Sequence, residues 1–246
     1  MKPLWNAPPT QLLLSMNDVH IWRAGIDLPS KRVQEFKGSL STEERIKADR
    51  FRFEQDKSRF IAARGILRRI LACYLGIDPG TIRLCYEKDG KPRLQNAFGK
   101  TGIQFNLSHS EGLAFYVFAE GHKVGVDVEY MREISEMEQI VEQFFSVRER
   151  VFFGTLPTSE KQETFFNWWT RKEAFTKATG EGLSYPLDRF DVSAGPGKSV
   201  GLLTILGDAK EASRWSMWEV RPAEGFAGAV AVEGGGWDVQ CWQWPG

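Results

Sequence analysis

The run KVGVDVEY at residues 123–130 limits the possible folds of this chain more than any other stretch. Its valines are typical of a buried β-strand, yet Asp127 and Glu129 place two carboxylates one residue apart. Side chains alternate faces along a strand, so Val126 and Val128 point to one side and both carboxylates to the other. The strand must therefore have one face on an apolar core and a second face that tolerates two adjacent negative charges.

A third carboxylate lies in the helical run WWTRKEAFTK at residues 168–177. Glu173 and Lys177 are four residues apart on one helix face, and aromatic residues occupy the opposite face. One interpretation is an exposed Glu–Lys pair that contributes only about 0.2–0.5 kcal/mol. The corresponding interpretation of Asp127 and Glu129 is the solvated face of an edge strand.

The alternative is that Glu173 faces Asp127 and Glu129. Three converging carboxylates are costly unless a cation neutralises them. Oxygen ligands without His or Cys favour magnesium over zinc, and protein-bound magnesium commonly contacts substrate phosphates. This interpretation predicts a magnesium site and a phosphorylated substrate.

A phosphorylated substrate requires cations and hydrogen-bond donors. Each candidate is weak singly, because surface lysines are usually solvated and a lone histidine is more often structural than functional. The candidates are Lys47, Lys91, Ser108, His109, Lys172 and Lys177.

The order of elements predicts an α+β fold. A strand near residues 17–24 precedes a helix that opens with Ser41 and Glu44 in capping-box spacing, and a longer helix stops at Gly76. Three strand-like runs follow up to residue 130, then helical stretches at 134–153 and 159–179, and then short strand-like runs to residue 242. This order suggests two α+β halves, residues 1–120 and 121–246.

Composition and the lack of common motifs exclude several kinds of binding partner and enzyme class and indicate a cellular location. Lysine plus arginine equals aspartate plus glutamate at 32 each, which predicts no general affinity for nucleic acid or an anionic membrane. The three cysteines are scattered, and no apolar run approaches the length of a membrane span, so we expect a cytoplasmic protein. No G-x-S-x-G, H-E-x-x-H or G-x-G-x-x-G motif is present, which disfavours common hydrolases, zinc proteases and dinucleotide-binding enzymes.

Taken together, FNLSHS (105–110), VGVDVE (124–129) and WTRKEAFTK (169–177) resemble the 4'-phosphopantetheinyl transferases of the larger, surfactin-synthetase-activating type. The resemblance runs from EERIKADRF to LSYPLDRF, over half of the chain. It implies a pseudo-dimer of two similar α+β halves with the active site in the cleft between them. It also implies transfer of the phosphopantetheine arm of coenzyme A to a serine of an apo-carrier protein, with release of adenosine 3',5'-bisphosphate.

The resemblance also implies roles for individual residues. Asp127, Glu129 and Glu173 would hold magnesium on the coenzyme A pyrophosphate, and Lys177 would stabilise the leaving phosphate oxygen. Glu149 matches the general base that deprotonates the acceptor serine. The residues implied to contact the coenzyme A phosphates are Lys47, Lys91, Ser108, His109, Lys172 and Lys177. One departure is Glu44, which stands where a family member has a basic residue.

Two other functions stay open at this point. A magnesium-dependent phosphodiester-cleaving enzyme could use the same three acids, and a non-catalytic carrier-protein-binding module would need none of them. The predicted partner is an acyl or peptidyl carrier protein of fatty acid, polyketide or peptide synthases, and the predicted oligomeric state is a monomer.

Overall fold

The computed structural model describes residues 5–86, 90–95, 102–182, 185–193 and 201–246. Within these ranges no helix has the length and apolar character needed to cross a membrane. The α-helices are α1 (Ser30–Ser39), α2 (Thr42–Ala48), α3 (Glu54–Leu75), α4 (Met137–Phe144), α5 (Val147–Gly154), α6 (Thr158–Thr179) and α7 (Ala209–Ala212). The strands are β1 (Asp18–Gly25), β2 (Leu84–Tyr86), β3 (Pro92–Leu94), β4 (Ile103–Ser110), β5 (Leu113–Glu120), β6 (Val124–Tyr130), β7 (Phe190–Val192), β8 (Leu202–Ile205), β9 (Trp215–Glu219), β10 (Phe226–Glu233) and β11 (Asp238–Gln243).

The chain folds as two α+β halves with matching topology. In the first half, β1, β5 and β4 form an antiparallel sheet in that order, β2 pairs with β3, and the long helix α3 precedes them. In the second half, β6, β10 and β9 repeat the order, β7 pairs with β8, and the long helix is α6. The predicted α+β pseudo-dimer is therefore confirmed.

The two long helices correspond in length and in how they end. Each has 22 residues and stops at a glycine in the left-handed conformation, Gly76 (φ 66°) and Gly180 (φ 80°). Glycine is favoured there because a side chain destabilises positive φ. Each helix packs on the outer face of its own sheet, where the two main apolar cores lie.

A third core joins the halves. It is made by inward-facing residues of the two sheets, including Val117 and Ile21 from the first and Val126, Val128 and Val230 from the second. All five side chains are fully buried. The layers therefore follow the order helix, sheet, sheet, helix, and the valines of β6 lie in the central layer as their alternation predicts.

Strand β11 crosses back to the first half. It pairs in parallel with β1, from Asp18 opposite Asp238 to Arg23 opposite Gln243, and extends the first sheet to the order β11-β1-β5-β4. The predicted division into residues 1–120 and 121–246 separates β5 from β6, but it assigns β11 to the half whose sheet it does not join.

The predicted helix at 134–153 is two helices. Phe145 and Ser146 have extended backbones between α4 and α5. Ser146 accepts a hydrogen bond from the backbone of Glu149, and the Glu149 carboxylate accepts one from the backbone of Ser146. This capping box starts a new helix and ends the previous one.

Candidate active site

Side chains of β4 bridge to β6 along the border between the halves. Asn106, Ser108 and Ser110 alternate in sequence and so project to the same side of β4. Asn106 is buried, and its Oδ1 accepts a hydrogen bond from the backbone N–H of Val126 at 3.0 Å. Ser108 Oγ donates to Asp127 Oδ1 at 2.8 Å. We call this row of three residues the polar bridge.

The last residue of the polar bridge orients the second acid of β6. Ser110 Oγ donates to Glu129 Oε2 at 2.9 Å and accepts from the backbone N–H of Tyr130 at 3.1 Å. Asp127 is fully buried and Glu129 is half-buried, so neither lies on a freely solvated edge. The solvated-edge interpretation of these two acids is therefore wrong.

Gly125 lets α6 approach β6 closely. A Cβ at this position would lie 2.0 Å from the backbone oxygen of Ala174 and 2.4 Å from the backbone nitrogen of Ala178, so no larger residue fits without moving the helix. The contact falls between Glu173 and Lys177, which α6 thereby presents to the acidic face of β6. The glycine of the VGVDVE motif thus positions the third acid.

Lys177 binds the first acid directly. Its Nζ lies 2.6 Å from Asp127 Oδ1 and donates to Ser108 Oγ at 3.1 Å. Lys91 secures the same region, because its Nζ donates to the backbone oxygens of Val124 at 3.1 Å and Lys177 at 2.5 Å. Among the described residues, Lys177 therefore forms its ion pair with Asp127 and not with Glu173, so the exposed Glu173–Lys177 pair considered from the sequence does not form.

Two acid oxygens of this cluster are buried without a hydrogen-bond partner, Asp127 Oδ2 and Glu173 Oε1. Burial raises the pKa of Glu173 to about 7, with the charge of Asp127 as the second cause and Lys177 opposing. Burial and the charge of Asp127 also raise the pKa of Glu129. The three acids therefore repel one another, and a single lysine neutralises them incompletely.

Oxygen donors, two of them unsatisfied and buried, are the chemistry that a hard divalent cation requires. Within the described ranges, however, no group of three or more acidic, histidine or cysteine side chains is already arranged to hold a metal ion. The donor set fits magnesium in type, and Lys177 occupies one oxygen of Asp127.

A cavity of about 600 Å³ opens beside the cluster, between the halves. Glu173 and Lys177 form one side of it, and the first half supplies most of the rest. Its lining includes Lys47, Phe51, Phe60, Ala63, Arg64, Lys91, Asn106, Ser108, His109 and Glu181. Its size and mixed polar lining suit a nucleotide-sized ligand.

The first-half wall of the cavity is cationic. It contains Lys47, Arg64 and His109. Desolvation lowers the pKa of Lys47, and the charge of Arg64 lowers it further. Desolvation and then the charge of Arg64 also lower the pKa of His109. These shifts place the three groups close enough to interact. Because the pKa of His109 lies below its ordinary value of 6.5, its imidazole is neutral at pH 7, and Lys47 and Arg64 carry the charge by which this wall favours an anion.

Glu44 does not face this cavity. It is buried, caps α2 together with Ser41, and forms an ion pair with Arg68 at 2.7 Å. Glu44 therefore serves the packing of α2 on α3, and its negative charge is neutralised within the protein.

Two predicted site residues lie elsewhere. Lys172 is fully buried, and its Nζ lies 2.8 Å from Glu149 Oε2 while donating to the backbone oxygens of Leu187 and Phe190. Glu149 is also buried and accepts from the backbone N–H of Val192 at 2.9 Å. Neither residue lines the cavity. The ammonium of Lys172 is inaccessible and already bonded, so its surroundings give no support to the predicted contact with coenzyme A, which stays a prediction.

Sequence reasoning missed Asn106, Ser110 and Arg64. The alternation of polar residues at 106, 108 and 110 beside an acid pair spaced by two was the available signal for the first two. For Arg64 there was none, because α3 also carries Arg59, Arg68 and Arg69 and sequence alone does not tell which arginine lacks a partner.

A buried acid cluster beside a cationic cavity, set between two matching α+β halves, is a site for an enzyme acting on a phosphorylated substrate. A family profile described as the 4'-phosphopantetheinyl transferase superfamily matches residues 123–231, and one described as 4'-phosphopantetheinyl transferase, N-terminal, matches residues 29–120. The chain is 39% identical over 240 residues to the 4'-phosphopantetheinyl transferase HetI of a Nostoc species, covering 98% of each chain. The chain therefore belongs to the 4'-phosphopantetheinyl transferase family.

Other similarities are more partial. The chain is 30% identical over 165 residues to the 4'-phosphopantetheinyl transferase Sfp of Bacillus subtilis, covering 67% of this chain and 71% of that one. The holo-[acyl-carrier-protein] synthase of Thermotoga maritima aligns with a TM-score of 0.37 at 22% identity, over 46% of this chain and 62% of that one. The family and the transferase class predicted from the sequence are confirmed.

Proposed function

We propose that this protein transfers the 4'-phosphopantetheine arm of coenzyme A to a serine of an apo-carrier protein, with Asp127, Glu129 and Glu173 as magnesium ligands. The observation that carries the proposal is a cluster of three incompletely neutralised acids beside a cavity that Glu173 lines and to which the first half contributes Lys47 and Arg64. Coenzyme A has phosphates at two separate positions, and the cavity offers a separate environment for each. Transfer to a carrier protein is the reaction of the family.

The reaction breaks the pyrophosphate bond of coenzyme A. The acceptor serine oxygen bonds to the phosphorus that carries the pantetheine arm, and adenosine 3',5'-bisphosphate leaves with the bridging oxygen. Magnesium, when bound, would neutralise the pyrophosphate and polarise the phosphorus under attack. The serine hydroxyl loses its proton during attack, and the family resemblance assigns that proton to Glu149.

The side chains of this chain hold and orient the reactants. The polar bridge fixes the carboxylate of Asp127 through Ser108 and that of Glu129 through Ser110. Lys177 Nζ is held at Asp127 and lines the cavity, where it can stabilise charge on the leaving phosphate. Pre-positioned groups of this kind lower the barrier because they need not reorganise during the reaction.

Glu149 lies outside the acid cluster and already has partners within the protein. Its carboxylate caps α5, accepts from the backbone of Val192 and pairs with Lys172. These contacts support a structural role. The proposed role as general base stays a prediction from the resemblance.

Intact-mass measurement tests the function. The protein is incubated with coenzyme A, magnesium and a panel of purified apo-carriers of fatty acid, polyketide and peptide synthases. We expect one carrier or more to gain the mass of one phosphopantetheine, and EDTA or Asp127→Asn to prevent the gain. Free phosphopantetheine formed without carrier would instead support a phosphodiester-cleaving enzyme, and no chemistry with any carrier would support a binding module.

The finer properties belong to the same proposal. We expect the protein to act as a monomer in the cytoplasm on its carrier. Both halves of the same chain contribute to the cavity lining, which supports activity of a monomer. Sedimentation at the enzyme concentration of the transfer assay tests this, because activity that requires a dimer would contradict it.

A further inference from the structure

Glu111 occupies a backbone position at which glycine is usual. Ser110 pairs with Leu113 across the hairpin of β4 and β5, which leaves a turn of two residues. Glu111, the first of them, has a left-handed backbone with φ 48°, whereas Gly112 does not have a positive φ. A Cβ destabilises positive φ, and hairpin turns of two residues favour glycine there. The identities of both turn residues therefore need another explanation.

Arg59 of α3 binds this turn. Its Nη1 lies 3.2 Å from Glu111 Oε2. It also forms a bidentate ion pair with Asp27, from Nε to Oδ1 at 2.7 Å and from Nη2 to Oδ2 at 3.1 Å. A Cβ at Gly112 would lie 3.0 Å from Asp27 Cγ and closer still to Oδ2, so glycine is needed for the turn to lie against this ion pair. We call Asp27, Arg59 and Glu111 the turn anchor, and it explains both residues of the turn.

Stability alone does not account for the turn anchor. The two acid side chains are 54% exposed at Asp27 and 46% exposed at Glu111, and exposed ion pairs stabilise a protein little. The left-handed backbone of Glu111 acts against that gain. Only 15% of the Arg59 side chain is exposed, so it is held in place between α3 and the turn. The anchor therefore contributes position more than it contributes free energy of folding.

The turn fixes the position of Ser110. This residue ends β4 directly before Glu111, and its hydroxyl donates to Glu129 Oε2 at 2.9 Å and accepts from the backbone N–H of Tyr130 at 3.1 Å. Ser108, the neighbouring member of the polar bridge, lies two residues inside the strand. Because Ser110 stands at the strand end, the direction of its hydroxyl depends on the conformation of the turn that follows.

We propose that Arg59 is a positioning residue for the metal site: by anchoring the β4–β5 turn, it holds the Ser110 hydroxyl against Glu129. The inference rests on the proposed function, in which Glu129 is a magnesium ligand. Arg59 does not line the cavity, so it acts through Ser110 and not on the substrate. Hydrogen bonds to a ligating carboxylate orient it for the metal, and the turn anchor secures one such bond.

Amide hydrogen exchange in EDTA reads the position of Ser110 without metal or chemistry. The Tyr130 N–H donates to Ser110 Oγ at one end of the polar bridge, and the Val126 N–H donates to Asn106 Oδ1 at the other. We expect Arg59→Gln to accelerate exchange of the Tyr130 N–H severalfold and to leave the Val126 N–H unchanged. Ser110→Ala gives the upper limit of this acceleration. Equal acceleration at both amides would indicate general loosening of the fold and would overturn the assignment.

Mn²⁺ binding, measured by electron paramagnetic resonance, links the turn anchor to the metal site. We expect Arg59→Gln to weaken Mn²⁺ binding severalfold, and by no more than Ser110→Ala does, because outer contacts tune the affinity of a metal site. Arg59→Lys keeps the charge and should recover part of the affinity. In a Ser110→Ala background, Arg59→Gln should have no further effect, since both changes act at the same hydroxyl. Additive losses would show that Arg59 acts by another route and would overturn the assignment.

Glu111→Gly separates position from stability. This change removes one acid of the turn anchor and relieves the left-handed backbone, so we expect an equal or higher midpoint of urea unfolding together with weaker Mn²⁺ binding. Leu206→Gly is the matched control, because Leu206 also has a left-handed backbone, φ 52°, and lies exposed between β8 and α7. Leu206→Gly should leave Mn²⁺ affinity and Tyr130 exchange unchanged. A midpoint and an affinity that fall together in Glu111→Gly would indicate a merely structural role.

Transfer to an apo-carrier keeps this inference separable from the proposed function. Unchanged Tyr130 exchange and Mn²⁺ affinity in Arg59→Gln overturn the positioning role, while transfer by the wild type still upholds the function. A wild type that transfers nothing refutes the proposed function, and the exchange rates still decide whether Arg59 positions Ser110. Arg69→Gln removes an equal charge from α3, where Arg69 contacts the Phe36 ring, and should change neither the exchange rates nor the Mn²⁺ affinity.

Discussion

Replacement of Lys172 by methionine should destabilise the protein severely. The ammonium is fully buried, lies 2.8 Å from Glu149 Oε2, and donates to two backbone oxygens. Methionine has a similar length but no charge, so Lys172→Met leaves the Glu149 carboxylate buried without its counter-charge. The perturbation therefore isolates the ion pair with little change in packing volume.

The expected loss follows from these contacts. Removal of one partner of a buried ion pair costs about 3–5 kcal/mol, because the remaining charge stays desolvated. Two backbone oxygens also lose a donor, although Glu149 keeps its two backbone N–H donors. The total is a large fraction of the 5–15 kcal/mol that typically stabilises a protein of this kind.

Unfolding in urea at pH 7.5 measures the free energy, and Glu149→Gln/Lys172→Met completes the comparison. The double variant removes both charges, so we expect it to be more stable than Lys172→Met by about 2 kcal/mol or more. Burial raises the pKa of Glu149, and loss of Lys172 removes a group that lowers it. The carboxylate should therefore protonate more easily in Lys172→Met, and the loss of stability should shrink towards pH 5.

Two results would refute this reasoning. One is a loss below about 1 kcal/mol in Lys172→Met, which would mean that the pair is solvated. The other is a double variant no more stable than Lys172→Met. Turnover of Glu149→Gln in folded protein then tests the assigned base: a loss limited to the unfolded fraction indicates a structural role, and a large loss in fully folded enzyme supports proton transfer.

Three further predictions concern the acid cluster. Gly125→Ala should displace α6, whose backbone oxygen at Ala174 would lie 2.0 Å from the new Cβ, so transfer should fall at least tenfold in protein that remains folded by circular dichroism. In EDTA the pKa of Glu173 is raised to about 7, so between pH 4.5 and 7 the folded protein binds a proton at Glu173 that the unfolded chain does not. The free energy of unfolding should therefore fall by roughly 2–3 kcal/mol as the pH rises from 4.5 to 8. Glu173→Gln should reduce this pH dependence in urea unfolding. Ser110→Ala should weaken Mn²⁺ binding severalfold, because the Ser110 hydroxyl orients Glu129, and Ser110→Thr should restore the affinity. Electron paramagnetic resonance measures the bound Mn²⁺. Equal affinities in the wild type and both variants would contradict this role.

The sequence predicted helix boundaries well where capping residues mark the first or last turn of the helix. Ser41 and Glu44 form the predicted capping box of α2, and α3 ends at Gly76 as predicted. The same spacing recurs at Ser146 and Glu149, where the sequence analysis predicted one helical stretch over residues 134–153. The pairing of β11 with β1 could not be predicted, because nothing local in either strand selects a partner so distant in sequence.

The acid cluster was predictable because strand and helix periodicities place its members on defined faces. Asp127 and Glu129 share a face of β6, and Glu173 with Lys177 share a face of α6. The burial of Lys172 was not predictable, because its partners Glu149, Leu187 and Phe190 come from other segments of the chain. Lys172 is buried because it pairs with Glu149 of α5 and donates to the backbone oxygen of Phe190 of β7. These contacts exist only in the folded structure.

Strand β11 affects how the protein forms during synthesis. Arg23 of β1 donates to Gln243 of β11, and these residues are 220 positions apart. A chain emerging from the ribosome therefore displays the outer edge of β1 unpaired until nearly all of these residues have been made. Unpaired edges recruit strands from other chains, and contacts this distant close slowly. A ribosome paused within the second half would hold an open sheet, so chaperone demand should peak late in translation and fall once residue 243 emerges.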